Sequence, residues 1–100
     1  MELKYTPRAI IEIEKESDKP IQDLLADFSL GTIVLFVKKG LGVEDEEAYT
    51  AIEEYLKKGN DTFSLYTLIM EKLQDAGFLP RHLDLGKVKK NVNQAIKKGV

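Results

Sequence analysis

The sequence predicts an all-α fold, a small bundle of five to six short helices, with a short extended arm at the N-terminus as an option. Three observations predict it. Apolar residues recur at intervals of three and four through most of the chain, which is the spacing of a helix face. Helix-capping residues or a proline precede these stretches. The tripeptide Lys-Lys-Gly occurs at 38–40, 57–59 and 97–99, and it suits helix ends because the dipole favours positive charge there and glycine easily adopts a left-handed conformation.

The chain is predicted to be organised around residues 29–40, its most apolar run. Ser29 is a good N-cap, Lys38 and Lys39 complement the dipole at the other end, and Gly40 is expected at the left-handed C′ position. Residues 33–37 are apolar on every side, so neighbours should cover this helix all round. A buried strand is the alternative, because β-branched residues are frequent in the run. The end signals and the helical patterns on both sides favour the helix.

Two helices are predicted before this run. Thr6 can cap a helix that begins at Pro7 and continues to about Glu16, which leaves residues 1–5 as a short strand or an ordered arm. Pro20 begins the next helix, at a position where its missing N–H does no harm. The apolar face of this second helix consists of Ile21, Leu24, Leu25 and Phe28.

Two further helices are predicted after the run. The acidic residues 44–47 begin a helix that continues to Lys58, because carboxylates complement the dipole of a first turn. A divalent-cation site is the alternative, but the spacing of a calcium loop is absent. Residues 60–61 cap a helix over 62–76, and the apolar residues 78–79 should fold back on the core. The expected buried residues are Ala48, Tyr49, Ile52, Tyr55 and Leu56 in the first of these helices, and Phe63, Tyr66, Met70 and Leu73, with Leu65 and Ile69 beside them, in the second.

The length of 100 residues allows one domain, with a helical body at 1–80 and a basic C-terminal helix or tail at 81–100. The body carries 9 Lys and Arg against 16 Asp and Glu, a net charge of −7, and the last twenty residues carry 6 basic residues against Asp84, a net charge of +5. A basic end can contact nucleic acid, an acidic partner or its own body. Charge alone is a weak signal for nucleic acid. A last helix over 85–98 would have an apolar stripe of Leu85, Val88, Val92, Ala95 and Ile96.

No catalytic, cofactor-binding or metal-binding residue is predicted. The chain has no cysteine for a disulfide or a thiolate site, and its one histidine, His82, lacks a recognisable nucleophile and orienting acid. Residues 40–42 lack the rest of a phosphate-binding loop. We therefore expect no enzyme activity and no cofactor. The lack of cysteine, of an N-terminal signal pattern and of a membrane-length apolar run predicts a cytoplasmic domain without membrane contact.

The order of segments resembles the tail assembly chaperones of long-tailed bacteriophages and prophages. Residues 3–15, LKYTPRAIIEIEK, are similar to the opening block L-x-F/Y-x-x-R-A-I-x-E-L-E of that family. A Pro/Ser-x-x-x-Leu-Leu helix is matched by 20–25, and an apolar helix ending in x-x-Gly-Leu is matched by 30–41. The acidic-started Ala-Tyr…Ile-x-Glu-Tyr-Leu helix is matched by 44–56, and the Ala-Gly-Phe ending by 62–78. Residues 81–100 fall outside the pattern.

This resemblance implies a non-catalytic role in tail morphogenesis. Members of the family bind the long tape-measure protein before the tail tube polymerises around it, act in the host cytoplasm and are absent from the mature virion. The implied partner is the tape-measure protein, with the tail tube protein as a second candidate; homo-oligomerisation stays open. Five large apolar residues could cover an apolar stripe of this client if they are exposed. They are Leu24, Phe28, Phe63, Tyr66 and Phe78. The alternative for these five is that they fill the core of the domain.

Two other functions remain as alternatives. A small helical DNA-binding regulatory module would fit the basic end, although no helix carries several Arg, Asn or Gln residues on one exposed face for base edges. An acyl-carrier-like bundle would need a modifiable serine that opens a helix. Ser29 follows Asp27-Phe28 and precedes Leu30, but its simpler role is an N-cap.

Overall fold

The computed structural model describes residues 1–27 and 29–80, and within them it contains five α-helices and no strand. The predictions for Phe28, for His82 and for a last helix over 85–98 lie outside the described residues. The all-α prediction is confirmed. The helices are α1 (Pro7–Ser17), α2 (Ile21–Ala26), α3 (Leu30–Leu41), α4 (Asp45–Lys57) and α5 (Thr62–Asp75).

Helix α3 is the centre of the bundle and packs against α1, α4 and α5. Its residues Ile33, Phe36 and Val37 are buried, so the alternative of a buried strand is wrong. Within the described residues, neighbours do not cover α3 all round, contrary to the expectation. Val34 is only half-buried and Leu30 is exposed, because the described helices leave one side of α3 uncovered.

Side-chain caps begin three of the helices, as predicted from the sequence. Each cap accepts a hydrogen bond from a backbone N–H of the first turn, which otherwise has no partner within the helix. The pairs are Thr6 with Ala9 at 3.1 Å, Ser29 with Thr32 at 3.1 Å and Asp61 with Ser64 at 2.7 Å. At the start of α4 the backbone N–H of Glu44 donates to Oε2 of Glu47 at 2.8 Å, so the acidic run does begin a helix.

The C-terminal end of α3 differs from the prediction. The helix continues through Gly40, and Gly42 takes the left-handed conformation, with φ at +70°. Gly40 has another role, since a Cβ atom at this position would lie 2.9 Å from side-chain atoms of both Leu3 and Tyr5. The backbone N–H of Lys4 also donates to the Gly40 carbonyl at 2.8 Å. Gly40 therefore allows the N-terminal segment to approach α3 closely.

The N-terminal segment 1–6 precedes α1 and is anchored on α3. Leu3 and Tyr5 are both buried in the core. The hydroxyl of Tyr5 donates to the Phe36 carbonyl at 2.9 Å, and the two rings pack edge to face with centroids 6.1 Å apart. Burial raises the pKa of Tyr5 well above its ordinary value, so the phenol stays protonated as the donor of this hydrogen bond.

The two lysines near the end of α3 connect it to its neighbours. Nζ of Lys39 lies 2.8 Å from Glu16 and 3.5 Å from Glu12, both on α1. Nζ of Lys38 lies 3.1 Å from Asp45 on α4 and 3.7 Å from Glu16. The hydrogen bond from Lys39 lowers the pKa of Glu16, and the same bond raises the pKa of Lys39. The Lys-Lys pair therefore links three helices as well as complementing the dipole.

Helix α5 covers α3 with Leu65, Ile69 and Leu73, which are almost fully buried. The connector after α5 folds back, as predicted. The backbone N–H of Phe78 donates to the Leu73 carbonyl at 2.9 Å, and the side chains of Phe78 and Leu79 pack partly buried against the core. No helix in the described part of the chain is long and apolar enough to cross a membrane.

Candidate protein-docking groove

Large apolar side chains are exposed at a few places in the described residues, and three of them surround one depression. Leu30 is 58% exposed, Tyr49 is 49% exposed and Leu56 is 36% exposed. All three line the same open groove of about 280 Å³ between α3 and α4, which we call the α3–α4 groove. Exposed apolar residues that are scattered singly need no explanation, but a contiguous patch of them is typical of an interaction site.

The α3–α4 groove is formed by regular positions on two neighbouring helices. Helix α3 contributes Leu30 and Val34, which are four residues apart and so lie one above the other. Helix α4 contributes positions i, i+3, i+4 and i+7 of one helical face. These α4 residues are Tyr49, Ile52, Glu53 and Leu56.

The groove exists because the apolar face of α4 is wider than the part of it that α3 covers. Ala48 and Ile52 face α3 and are buried, and Tyr55 on one flank is half-buried. Tyr49 and Leu56 lie on the other flank, where no described helix covers them. The prediction that these two residues are buried is therefore wrong. The sequence carries the signal in part, since positions 49 and 56 lie together at one edge of the apolar stripe and not at its centre.

The residues predicted to bind a client are not the ones that form the groove. Leu24 is buried in the core, and Phe78 packs against the core partly buried. Phe63 and Tyr66 on α5 are half-buried, and the Tyr66 hydroxyl donates to the Leu25 carbonyl. Phe28 lies outside the described residues. A client-binding role for these residues requires exposure, and Leu24, Phe63, Tyr66 and Phe78 are all wholly or partly covered.

The solvent side of α4 is acidic. Glu46, Glu47, Glu53 and Glu54 are all exposed, and Glu53 also lines the groove. The one basic residue of α4, Lys57, lies 3.1 Å from Glu53 as an exposed i,i+4 pair. Helix α4 thus carries five carboxylates against one ammonium, counted over Asp45–Lys57. A segment that enters the groove meets an apolar floor with negative charge along the α4 side.

The acidic run and Ser29 have structural roles. Within residues 1–27 and 29–80, no group of three or more His, Cys, Asp or Glu side chains is placed to hold a metal ion. The Ser29 hydroxyl accepts from the Thr32 N–H at 3.1 Å and donates to the Thr32 hydroxyl at 2.9 Å, as an N-cap does.

The groove can bind another segment by burying apolar surface, and its lining offers no cluster of groups for bond making or breaking. Comparisons of the chain with protein-family models, with curated proteins and with solved structures found no match.

Proposed function

We propose that this chain is a non-catalytic tail assembly chaperone of a bacteriophage or prophage, and that it binds an amphipathic helix of the tape-measure protein in the α3–α4 groove. The observation that carries the proposal is the cluster of exposed Leu30, Tyr49 and Leu56 around one apolar depression. The resemblance of residues 3–80 to that family supports it from the sequence side. The role needs no enzyme chemistry and no cofactor.

The shape of the groove suits a helix as its occupant. On α4 the lining runs from Tyr49 to Leu56, eight residues whose seven steps rise about 10 Å at 1.5 Å per residue. Two turns of a client helix have the same length. A helix that presents apolar residues at i, i+3, i+4 and i+7 can place them over the groove, which is a common mode of helix recognition. Tape-measure proteins are long and helical, so such stripes recur along them.

The charges predict which stripe is preferred. Because the α4 side of the groove carries Glu53 and helix α4 is acidic overall, a client helix with lysine or arginine next to its apolar stripe should bind better than an acidic one. The proposal places this binding in the host cytoplasm before the tail tube closes around the tape measure. The tail tube protein is a second candidate partner, and the chaperone leaves before the virion is complete.

The test is co-expression with a tape-measure fragment that is insoluble alone. The wild-type chain should keep the fragment soluble, and Leu30→Glu should not. Leu30 is the first residue of α3, where a carboxylate complements the helix dipole, so this variant should keep its fold. Ile11→Glu is the matched control, because Ile11 is 51% exposed on α1 and does not line the groove.

The outcomes separate the function from the site. A fragment that stays equally insoluble with and without the chain would refute the chaperone role. A fragment that Leu30→Glu and the wild type solubilise equally would keep the role and refute the groove. Full burial of a leucine is worth about 1.5–3 kcal/mol, so we expect Leu30→Glu to weaken binding about tenfold or more, while Ile11→Glu leaves it within about twofold.

A further inference from the structure

The last twenty residues of the chain match the groove in two independent properties. The sequence from 85 to 98 places five apolar residues at helical spacing, with Val92 at their centre. Residues 81–100 also carry a net charge of +5, whereas residues 1–80 carry −7. This segment lies outside the described residues, and both properties belong to its sequence. The α3–α4 groove supplies the complement, an apolar floor beside the acidic solvent side of α4.

We propose that residues 85–98 dock as an amphipathic helix in the α3–α4 groove of the same molecule. The stripe of five apolar residues would cover Leu30, Tyr49 and Leu56, and Lys89, which helical spacing places next to the stripe, would lie near Glu53. The segment and the client would compete for one groove, so docking would regulate client binding. This regulatory role rests on the proposed function. The docking itself requires only this chain.

The length of the connection sets how far the segment can reach. Pro80 is the last described residue, and five extended residues from there to Leu85 span about 17 Å at 3.3–3.6 Å each. Val92 lies seven residues further on, or about 10 Å along a helix at 1.5 Å per residue. The centre of the stripe can therefore lie up to about 27 Å from Pro80. The molecule measures 37 × 31 × 23 Å along its principal axes, so this reach is comparable with its dimensions.

Covalent connection makes a weak contact sufficient. Two segments joined by a short flexible linker meet at an effective concentration in the millimolar range. A stripe that binds the groove of another molecule only weakly can thus occupy the groove of its own molecule for much of the time. Attraction between the basic segment and the acidic body adds to this, and it should weaken as salt is raised. Competition from the segment would reduce the apparent affinity for a client in proportion to the fraction of grooves left open.

The experiment uses the full chain, which has no cysteine, so that one introduced cysteine takes a spin label at a single site. We choose Gln94→Cys, which by helical spacing lies opposite the stripe. Paramagnetic broadening of the NMR signals of Leu30, Tyr49 and Leu56 should be strong at low salt. The signals of Ile11, which lies outside the groove, should change little. Val92→Glu should abolish the broadening, and Asn93→Glu, the same charge change beside the stripe, should retain most of it.

A second sample separates docking within one molecule from docking between two. Spin-labelled chains without isotope are mixed with isotope-labelled chains without a spin label. Broadening at the groove in this mixture as strong as in the single chain would assign the groove to a second copy and overturn the proposal. Absence of broadening in the single chain, or broadening at Ile11 equal to that at Leu30, would also overturn it.

A client titration then tests the regulatory consequence. If the segment occupies the groove for half to nine-tenths of the time, Val92→Glu should raise the apparent affinity for a tape-measure helix by about twofold to tenfold. An unchanged affinity would overturn the competition. A chain that binds no such helix in any variant would refute the proposed function and leave the docking result from the spin label standing.

Discussion

Replacing Gly40 by alanine should destabilise the protein, although alanine is the better helix former. Gly40 lies inside α3, and a Cβ atom there would be 2.9 Å from Cδ2 of Leu3 and 2.9 Å from both Cζ and the hydroxyl oxygen of Tyr5. These are ends of side chains, which could move aside at low cost on a surface. Here both side chains are buried, and the Tyr5 hydroxyl is held by its hydrogen bond to the Phe36 carbonyl. The N-terminal segment must therefore shift as a unit.

The magnitude follows from two opposing contributions. In a helix interior, alanine stabilises the helix by about 0.8–1.0 kcal/mol relative to glycine. Overpacking of a close-packed core costs about 1–3 kcal/mol. We expect Gly40→Ala to lower the free energy of unfolding by up to about 2 kcal/mol. Gly31→Ala in the same helix is the matched control, because nothing lies within 4 Å of its added Cβ, and it should be stabilising by up to about 1 kcal/mol.

Urea unfolding followed by helical circular dichroism measures both variants. The contribution of helix propensity largely cancels when the free energies of unfolding of Gly31→Ala and Gly40→Ala are subtracted. We expect Gly40→Ala to be the less stable of the two by about 1–3 kcal/mol. Equal shifts for the two variants would refute the close approach of the N-terminal segment. Tyr5→Phe removes one of the atoms in the clash, so Gly40→Ala should cost less in that background, and a double-mutant cycle should give a coupling free energy.

Two further predictions concern an ion pair and a helix cap. Glu16→Gln should lower the free energy of unfolding by no more than about 1 kcal/mol at pH 7, because Glu16 is partly exposed and solvent screens its pairing with Lys39. Since that pairing lowers the pKa of Glu16, its contribution is present above the ordinary pKa of a glutamate and is lost as the pH falls through the lowered value. The difference between wild type and Glu16→Gln in urea titrations should therefore shrink as the pH is lowered below the ordinary pKa of a glutamate, and a difference that grows on acidification would contradict the assignment. Ser29→Ala should cost about 1 kcal/mol in thermal unfolding by removing the acceptor for the Thr32 N–H, whereas Ser29→Gly should cost only a few tenths; an unchanged melting temperature for Ser29→Ala would show that the cap contributes nothing.

Local signals in the sequence were sufficient for most of the fold. The starts of α1, α3 and α5 are determined by side chains that cap the backbone three residues ahead, so Thr6, Ser29 and Asp61 can be recognised without tertiary information. The end of α3 could not be recognised in this way. Lys-Lys-Gly suits a C-terminus at Gly40, but Leu3 and Tyr5 pack onto this glycine from more than thirty residues away. Such a contact leaves no trace in the local pattern.

The groove was missed for a related reason. Helical spacing identifies which residues of α4 share a face, but it does not tell how much of that face a neighbour covers. Tyr49 and Leu56 are predicted to be buried because they are apolar. They are exposed because α3 covers the centre of the α4 stripe and no described helix covers the flank that carries these two residues. On α5 the predicted buried face is rotated about the helix axis relative to the observed one. The buried side is centred on Leu65 and Ile69, and the aromatic Phe63 and Tyr66 lie at its margin.

The anchoring of the N-terminal segment on α3 also has a consequence for the order in which the chain becomes structured during synthesis. Tyr5 emerges from the ribosome 31 residues ahead of Phe36, which accepts its hydrogen bond. Until α3 has been made, Leu3 and Tyr5 have no surface to bind, and their contacts close a long loop. We therefore expect this segment to dock after the helices have assembled. In that case Tyr5→Phe should speed unfolding in a chevron experiment and leave the rate of folding nearly unchanged.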